Sequence, residues 1–248
     1  MGHDHLIRVA EAIGALRCEN PEAPGSTPMY GIKPTDDLLA AIENAMGCEI
    51  RFPNPYPDET GVKTSRGVAS YRAIHAIYQA WRIRELLRGI PKPRVLELGA
   101  GLGRTAYYAR QLGIVDYTII DLPFTALSQG YFLMRTLGAD QVLLQGENER
   151  DASTKVKIFN PSSFLEGSEK YDLVVNTDSL TEIGRSTAER YWNRIQTSAP
   201  LFLSINHESN PFTVKELIDG DDSRIANTHR HLHAIRRGYV EELVYFRS

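Results

Sequence analysis

The chain has 248 residues, 42% of them hydrophobic and 24% charged, with a formal net charge of −3. That length suits one α/β domain with an appendage and a substantial buried core, and the near-balanced charge excludes a general attraction to nucleic acid or to an anionic membrane. The two cysteines, Cys18 and Cys48, form no CxxC pair, so neither a zinc finger nor a disulfide framework is indicated and a reducing compartment fits.

Residues 1–17 carry His3, Asp4, His5, Arg8 and Glu11, so they lack the apolar centre of a signal peptide, and no long uncharged apolar run follows. The expectation is a cytoplasmic protein with no membrane span. Residues 10–16 and 37–46 have helical spacing, and the proline-rich stretch 20–34 between them reads as loop. Residues 51–67 again read as loop. A long amphipathic helix is predicted over 70–87, with Ile74, Ile77, Trp81 and Ile83 on its apolar side, and Pro91 and Pro93 close it.

After Pro93 the rhythm becomes short apolar runs separated by helical segments, from RVLELG through YTIID and QVLLQ to residues 156–159, 171–176 and 201–206. Helices are predicted over 105–112, 124–137 and 186–195. This alternation predicts βαβ units and a mainly parallel sheet. Candidate strands at 229–235 and 239–246, with Arg236, Arg237 and Gly238 between them, predict a terminal antiparallel hairpin.

Val95-Leu96-Glu97-Leu98-Gly99-Ala100-Gly101-Leu102-Gly103 reads as a strand entering a glycine-rich turn, which lets backbone N–H groups approach a ligand closely. A dinucleotide turn needs a third small residue where this chain has Arg104. Glu97 would repel a pyrophosphate and attract the ammonium and sulfonium charges of S-adenosylmethionine. Asp121, ending the next strand, suits a pair of ribose hydroxyls. The structural alternative makes the glycines a tight turn and Asp121 a helix N-cap.

ELGAGLG followed by a strand ending in Asp121 resembles the class I S-adenosylmethionine-dependent methyltransferases, over roughly residues 94–248. Ile120-Asp121-Leu122-Pro123, the run from Asn176 to Glu182 and the loop-rich start are similar to sugar O-methyltransferases of bacterial polysaccharide gene clusters. The resemblance implies an α/β, Rossmann-like, seven-stranded doubly wound sheet whose last strand is antiparallel, preceded by a helical and loop extension. It implies Glu97 at the methionine end of the donor, Asp121 at the ribose and Asn160 at the adenine. Gly99, Ala100, Gly101, Gly103, Leu122 and Asn176 complete the expected donor site. Tyr71 and Arg72, at the start of the long helix, are placed to reach the donor carboxylate.

Methyl transfer to a hydroxyl needs alignment and a proton acceptor. His207, directly after an apolar strand, is the first candidate base, with a strand-end cap as its alternative role. Asp178 and Glu182 would lie on one face if their segment were helical, where they suit acceptor hydroxyls, or with Glu208 a Mg²⁺ ion. His229, His231 and His233 alternate as on one strand face, and His75 reads as a satisfied helix histidine.

Residues 1–66, with Tyr30, Phe52 and Tyr56, are expected to form a lid or a homodimer contact on a methyltransferase domain of residues 67–248. The expected reaction is O-methylation of a small-molecule or carbohydrate acceptor. N- or C-methylation of a small natural product, and non-catalytic cofactor binding, remain open. No basic and aromatic stripe indicates a nucleic-acid partner.

Overall fold

The computed structural model describes residues 2–18, 33–147 and 152–247. Tyr30 and most of the loop expected over 20–34 lie outside the described residues. The first helix is α1 (Gly2–Ala12), shifted toward the start relative to the expected 10–16. Leu6, Val9 and Ala10 bury its apolar stripe, and Gly14, at φ 76°, follows its end. In α2 (Thr35–Met46), Leu38, Leu39, Ile42 and Met46 do the same.

A small hairpin, β1 (Val62–Thr64) with β2 (Gly67–Ala69), replaces the end of the expected loop. Arg66 at its turn pairs with Glu43 at 2.8 Å and Asp36 at 3.2 Å, tying the hairpin to α2. Helix α3 (Tyr71–Leu86) starts where Ser70 accepts the Ala73 N–H.

The main sheet contains β3 (Arg94–Leu98), β4 (Asp116–Ile120), β5 (Val142–Leu144), β6 (Val156–Phe159), β7 (Leu173–Thr177), β8 (Leu201–His207), β9 (Ile225–Leu232) and β10 (Tyr239–Phe246). Their spatial order is β5-β6-β4-β3-β7-β8-β10-β9, and β10 alone runs opposite to the other seven strands. Eight strands stand where seven were expected. The terminal hairpin is present, but its connection is residues 233–238 rather than the three residues read from the sequence.

Alternation along the strands sorts their side chains into two cores. Val95, Leu173 and Val175 join Ile74, Ile77 and Phe132 beneath α3, α4 (Arg104–Gln111) and α5 (Pro123–Leu137). Leu96, Val174 and Phe202 join Phe164, Trp192 and Leu217 beneath α6 (Pro161–Leu165), α7 (Arg185–Ser198) and α8 (Val214–Gly220). Leu6, Val9, Leu38, Leu39 and Ile42 share the first of these cores, so hydrophobic packing continues across the boundary drawn at residue 66.

The sequence reading did not include α8. Its start was legible, because Thr213 and Glu216 form a reciprocal capping box. Within the sheet, Lys157 on β6 and Asp116 on β4 are both nearly inaccessible and pair with each other. The chain moves from β3 outward to β4, then returns past β3 to β7, so the crevice at the carboxyl ends of these strands is a topological switch point.

Candidate functional site

At that crevice the turn after β3 opens a cavity of about 570 Å³, within the usual range for small-molecule sites. Gly99, Gly101 and Gly103 have φ of 73°, 56° and 82°, the left-handed region that side chains resist. Open space lies where a Cβ on Gly101 would project, while one on Gly99 would sit 2.3 Å from Ser179 Oγ. The turn therefore faces the cavity at Gly101 and is packed from behind at Gly99.

Asp121 stabilises this turn. Its Oδ2 accepts the Ala100 N–H at 3.1 Å and the Gln129 amide at 2.6 Å, and its Oδ1 accepts the Leu122 N–H at 2.8 Å. Gln129, fully buried on α5, also donates to the Gly101 carbonyl at 3.0 Å. No sequence signal marked Gln129, because its role depends on α5 folding back over the turn.

Glu97 lines the cavity although it is only 2% exposed. The Tyr117 hydroxyl donates to it at 2.9 Å. Among the described residues no cation pairs with it, and burial pushes its carboxyl up to about 7 against the opposing hydroxyl bond. A buried acid with a neutral partner at a cavity wall is matched to a cationic ligand. The residues present thus fit a donor with an ammonium or sulfonium group.

The other wall is built by Tyr71, Arg72 and His75 from α3, by Thr177 at the end of β7 and Asp178 just after it, and by Arg236 from the β9–β10 connection. Asp178 has φ 52°, an uncommon conformation for a residue other than glycine. Its Oδ2 accepts from Arg236, while its buried Oδ1 has no hydrogen-bond partner. His75 touches His5 of α1 at 3.3 Å, and burial, reinforced by nearby Arg236, pushes its imidazole down to about 2. Sequence reasoning missed the contributions of Gln79, Thr105, Thr177 and Arg236 to this cavity.

Several expected site residues serve other ends. Asn176 is completely buried, donates to Leu98 O at 2.9 Å and accepts from Asn206, so it braces β7 and presents no surface to a ligand. Asn160 stands at the end of β6 as expected, but its side chain caps α6 by accepting the Ser163 N–H at 3.1 Å. His207 is not among the cavity-lining residues; its Nδ1 accepts the Ser209 N–H at 3.1 Å, and its ring packs edge-on to Tyr239.

Residues 178–183 form turns rather than a helix, so Asp178 and Glu182 do not share a helical face. Glu182 is exposed and borders a separate groove with Arg185 and Phe212. The expected Mg²⁺ set is not assembled: Asp178 pairs with Arg236 and Glu208 with Arg230. Among the described residues no group of three His, Cys, Asp or Glu side chains is placed to hold a metal ion. His229 and His231 are exposed on β9, whereas His233 is buried beyond its end, so the three do not form one face. No described helix is long and apolar enough to cross a membrane.

The segment before residue 67 reaches over the glycine turn. Glu59 receives the Arg104 guanidinium through both carboxylate oxygens, at 2.7 and 2.8 Å. Tyr56 donates to the Ser128 carbonyl at 2.9 Å and packs on Tyr131. Arg104, the residue that breaks the dinucleotide pattern, is thus the anchor of this segment.

No family model matches the chain, and no curated protein matches it. Among solved structures it is similar to the methyltransferase domain of a bacterial Hen1, with 9% identity over 69% of this chain and 100% of that one, at a TM-score of 0.50. A protein of Pyrococcus horikoshii described as a putative RNA methyltransferase is 16% identical over 84% of this chain and 98% of that one, at 0.49. Magnesium protoporphyrin IX methyltransferase of Synechocystis, solved with S-adenosylhomocysteine, is 13% identical over 76% and 90%, at 0.49. The fold is Rossmann-like, of the kind found in class I S-adenosylmethionine-dependent methyltransferases.

Proposed function

We propose that this chain is an S-adenosylmethionine-dependent O-methyltransferase acting on a hydroxyl of a sugar or glycan precursor. The observation that carries the reading is the buried, cation-free Glu97 that lines one cavity together with a left-handed glycine turn, a turn that Asp121 braces from outside the lining. When bound, the donor supplies a methyl carbon activated by its sulfonium. Glu97 supplies the charge partner for the donor's cationic end, and the Gly99–Gly103 turn supplies close backbone approach. Asp121, which does not line the cavity, serves the donor by holding the turn through its bonds to Ala100 and Gln129. The contacts of Glu59 and Tyr56 support residues 51–66 as a lid that excludes water from the transfer.

Asp178 is the better candidate base, since it lines the cavity with one carboxylate oxygen unpartnered, whereas His207 lies outside it. Asp178→Asn is expected to lower turnover roughly hundredfold while leaving S-adenosylhomocysteine affinity unchanged. His207→Ala should keep most of its turnover; a large loss there with Asp178→Asn fully active would reverse the assignment.

Calorimetric titration with S-adenosylhomocysteine and, separately, NADH tests the reading. Micromolar binding of the first alone, lost in Asp121→Ala, supports it; preference for NADH would overturn it. The acidity of Glu97 adds a pH signature. Its folded-state value, about 7, lies above the ordinary 4.5, so its stability contribution is full below 4.5 and lost as pH rises through 7. The unliganded protein should therefore melt at lower temperature at pH 8 than at pH 6 by a margin that Glu97→Gln removes. Affinity for S-adenosylmethionine should rise over the same interval as Glu97 ionises, and Glu97→Gln should flatten that rise.

A further inference from the structure

Building on the methyltransferase reading, we infer that the acceptor end of the cavity is an anion site, in which Arg72 and Arg236 hold a phosphate or carboxylate group carried by the acceptor. Both arginines line the cavity. Arg72, in the first turn of α3, is exposed; its hydrogen-bond partner is the neutral Tyr71 hydroxyl at 2.8 Å, with the Tyr71 ring beneath it at 5.4 Å. Among the described residues no carboxylate pairs with Arg72. No carboxylate therefore compensates the charge of this lining residue.

Arg236 is held differently. It lies over the Tyr239 ring, 3.4 Å from the centroid, and donates from one terminal nitrogen to Asp178 and from the other to the neutral Tyr239 hydroxyl. Asp178 is the only acid facing this end among the described lining residues, so two guanidinium groups meet one carboxylate. The neighbouring imidazoles of His5, His75 and His233 are all pushed down, with burial the largest cause and Arg236 a further one, so they add no charge of their own. The amino end of the 16-residue α3 adds partial positive charge beside Arg72.

The opposite end of the cavity shows the contrast. There Arg104 is closed off by both oxygens of Glu59, so its charge is spent within the protein. Arginine forks bind phosphate and carboxylate in two-point geometry, so an acidic sugar or a sugar phosphate fits this end better than a neutral sugar. Sequence position alone had suggested the donor's own carboxylate for Arg72, and the test separates the two occupants.

Protein saturated with S-adenosylhomocysteine is titrated with glucose 1-phosphate, glucuronate, inorganic phosphate and glucose. The expected result is binding of the anionic ligands and not of glucose, with Arg72→Gln and Arg236→Gln each weakening it roughly tenfold or more. Arg72→Gln should bind S-adenosylhomocysteine as the unmodified protein does. Glucose 1-phosphate binding more tightly than glucuronate identifies phosphate as the group, and the reverse identifies a carboxylate. Arg236→Lys, which keeps the charge for Asp178, covers the case in which Arg236→Gln fails to fold.

Equal binding of glucose, no binding of any anion to the saturated protein, or a tenfold loss of S-adenosylhomocysteine affinity in Arg72→Gln would each overturn the anion site. Failure of S-adenosylhomocysteine itself to bind would instead sink the methyltransferase reading on which the site rests.

Discussion

Replacing Gly99 with alanine is expected to weaken S-adenosylhomocysteine binding at least roughly hundredfold, because the turn that carries it would be displaced. The new Cβ would lie 2.3 Å from Ser179 Oγ and 2.4 Å from Ser179 Cβ. Ser179 has little freedom to yield, since its hydroxyl donates to Leu98 O at 2.9 Å and receives the Asn176 amide. The left-handed φ of 73° adds about 1–2 kcal/mol for any residue with a side chain. Overpacking adds about 1–3 kcal/mol. Together these should lower Tm by about 4–20 °C. Adding Ser179→Gly should relieve the clash and leave the backbone cost, so the double variant should recover part of the stability. A Gly99→Ala protein that melts and binds like the original would show that the turn is not packed against Ser179.

Asp116→Ala should cost about 3–5 kcal/mol, a Tm loss of about 6–20 °C, through a mechanism remote from the cavity. Lys157 is 6% exposed and has Asp116 as its ion-pair partner, so removing the carboxylate strands a buried charge. Arg94, at 3.4 Å from the same carboxylate, keeps Glu169 and is less affected. Replacing both members, Asp116→Leu with Lys157→Met, should restore most of the loss, because two apolar side chains need no partner. Denaturant melts of the three variants check this, and a double variant no better than Asp116→Ala would refute the stranded-charge account. Binding of S-adenosylhomocysteine below the melting transition should be unchanged in all of them.

The two variants act on features that were unequally visible beforehand. Strand β3 and its glycine turn could be read from local text, because a β-strand followed by closely spaced glycines constrains the backbone wherever it occurs. The βα rhythm and the terminal hairpin were legible for the same reason, since period-two and period-3.6 patterns are short-range properties. The start of α1 was misplaced because the polar residues His3, Asp4 and His5 occupy its other faces and obscure the stripe through Leu6 and Val9.

By itself, then, the sequence determined the α/β class and the glycine turn at Gly99–Gly103, both consequences of residues close together along the chain. The tertiary structure decided which other side chains reach the cavity. It turned Asn176 inward to brace β7, left His207 outside and carried Arg236 across from the last hairpin to Asp178, 58 positions away. It also joined Arg104 to Glu59 and Gln129 to Asp121. Such contacts depend on sheet order and helix docking, where burial and charge are set by neighbours distant in sequence, and no local pattern encodes them.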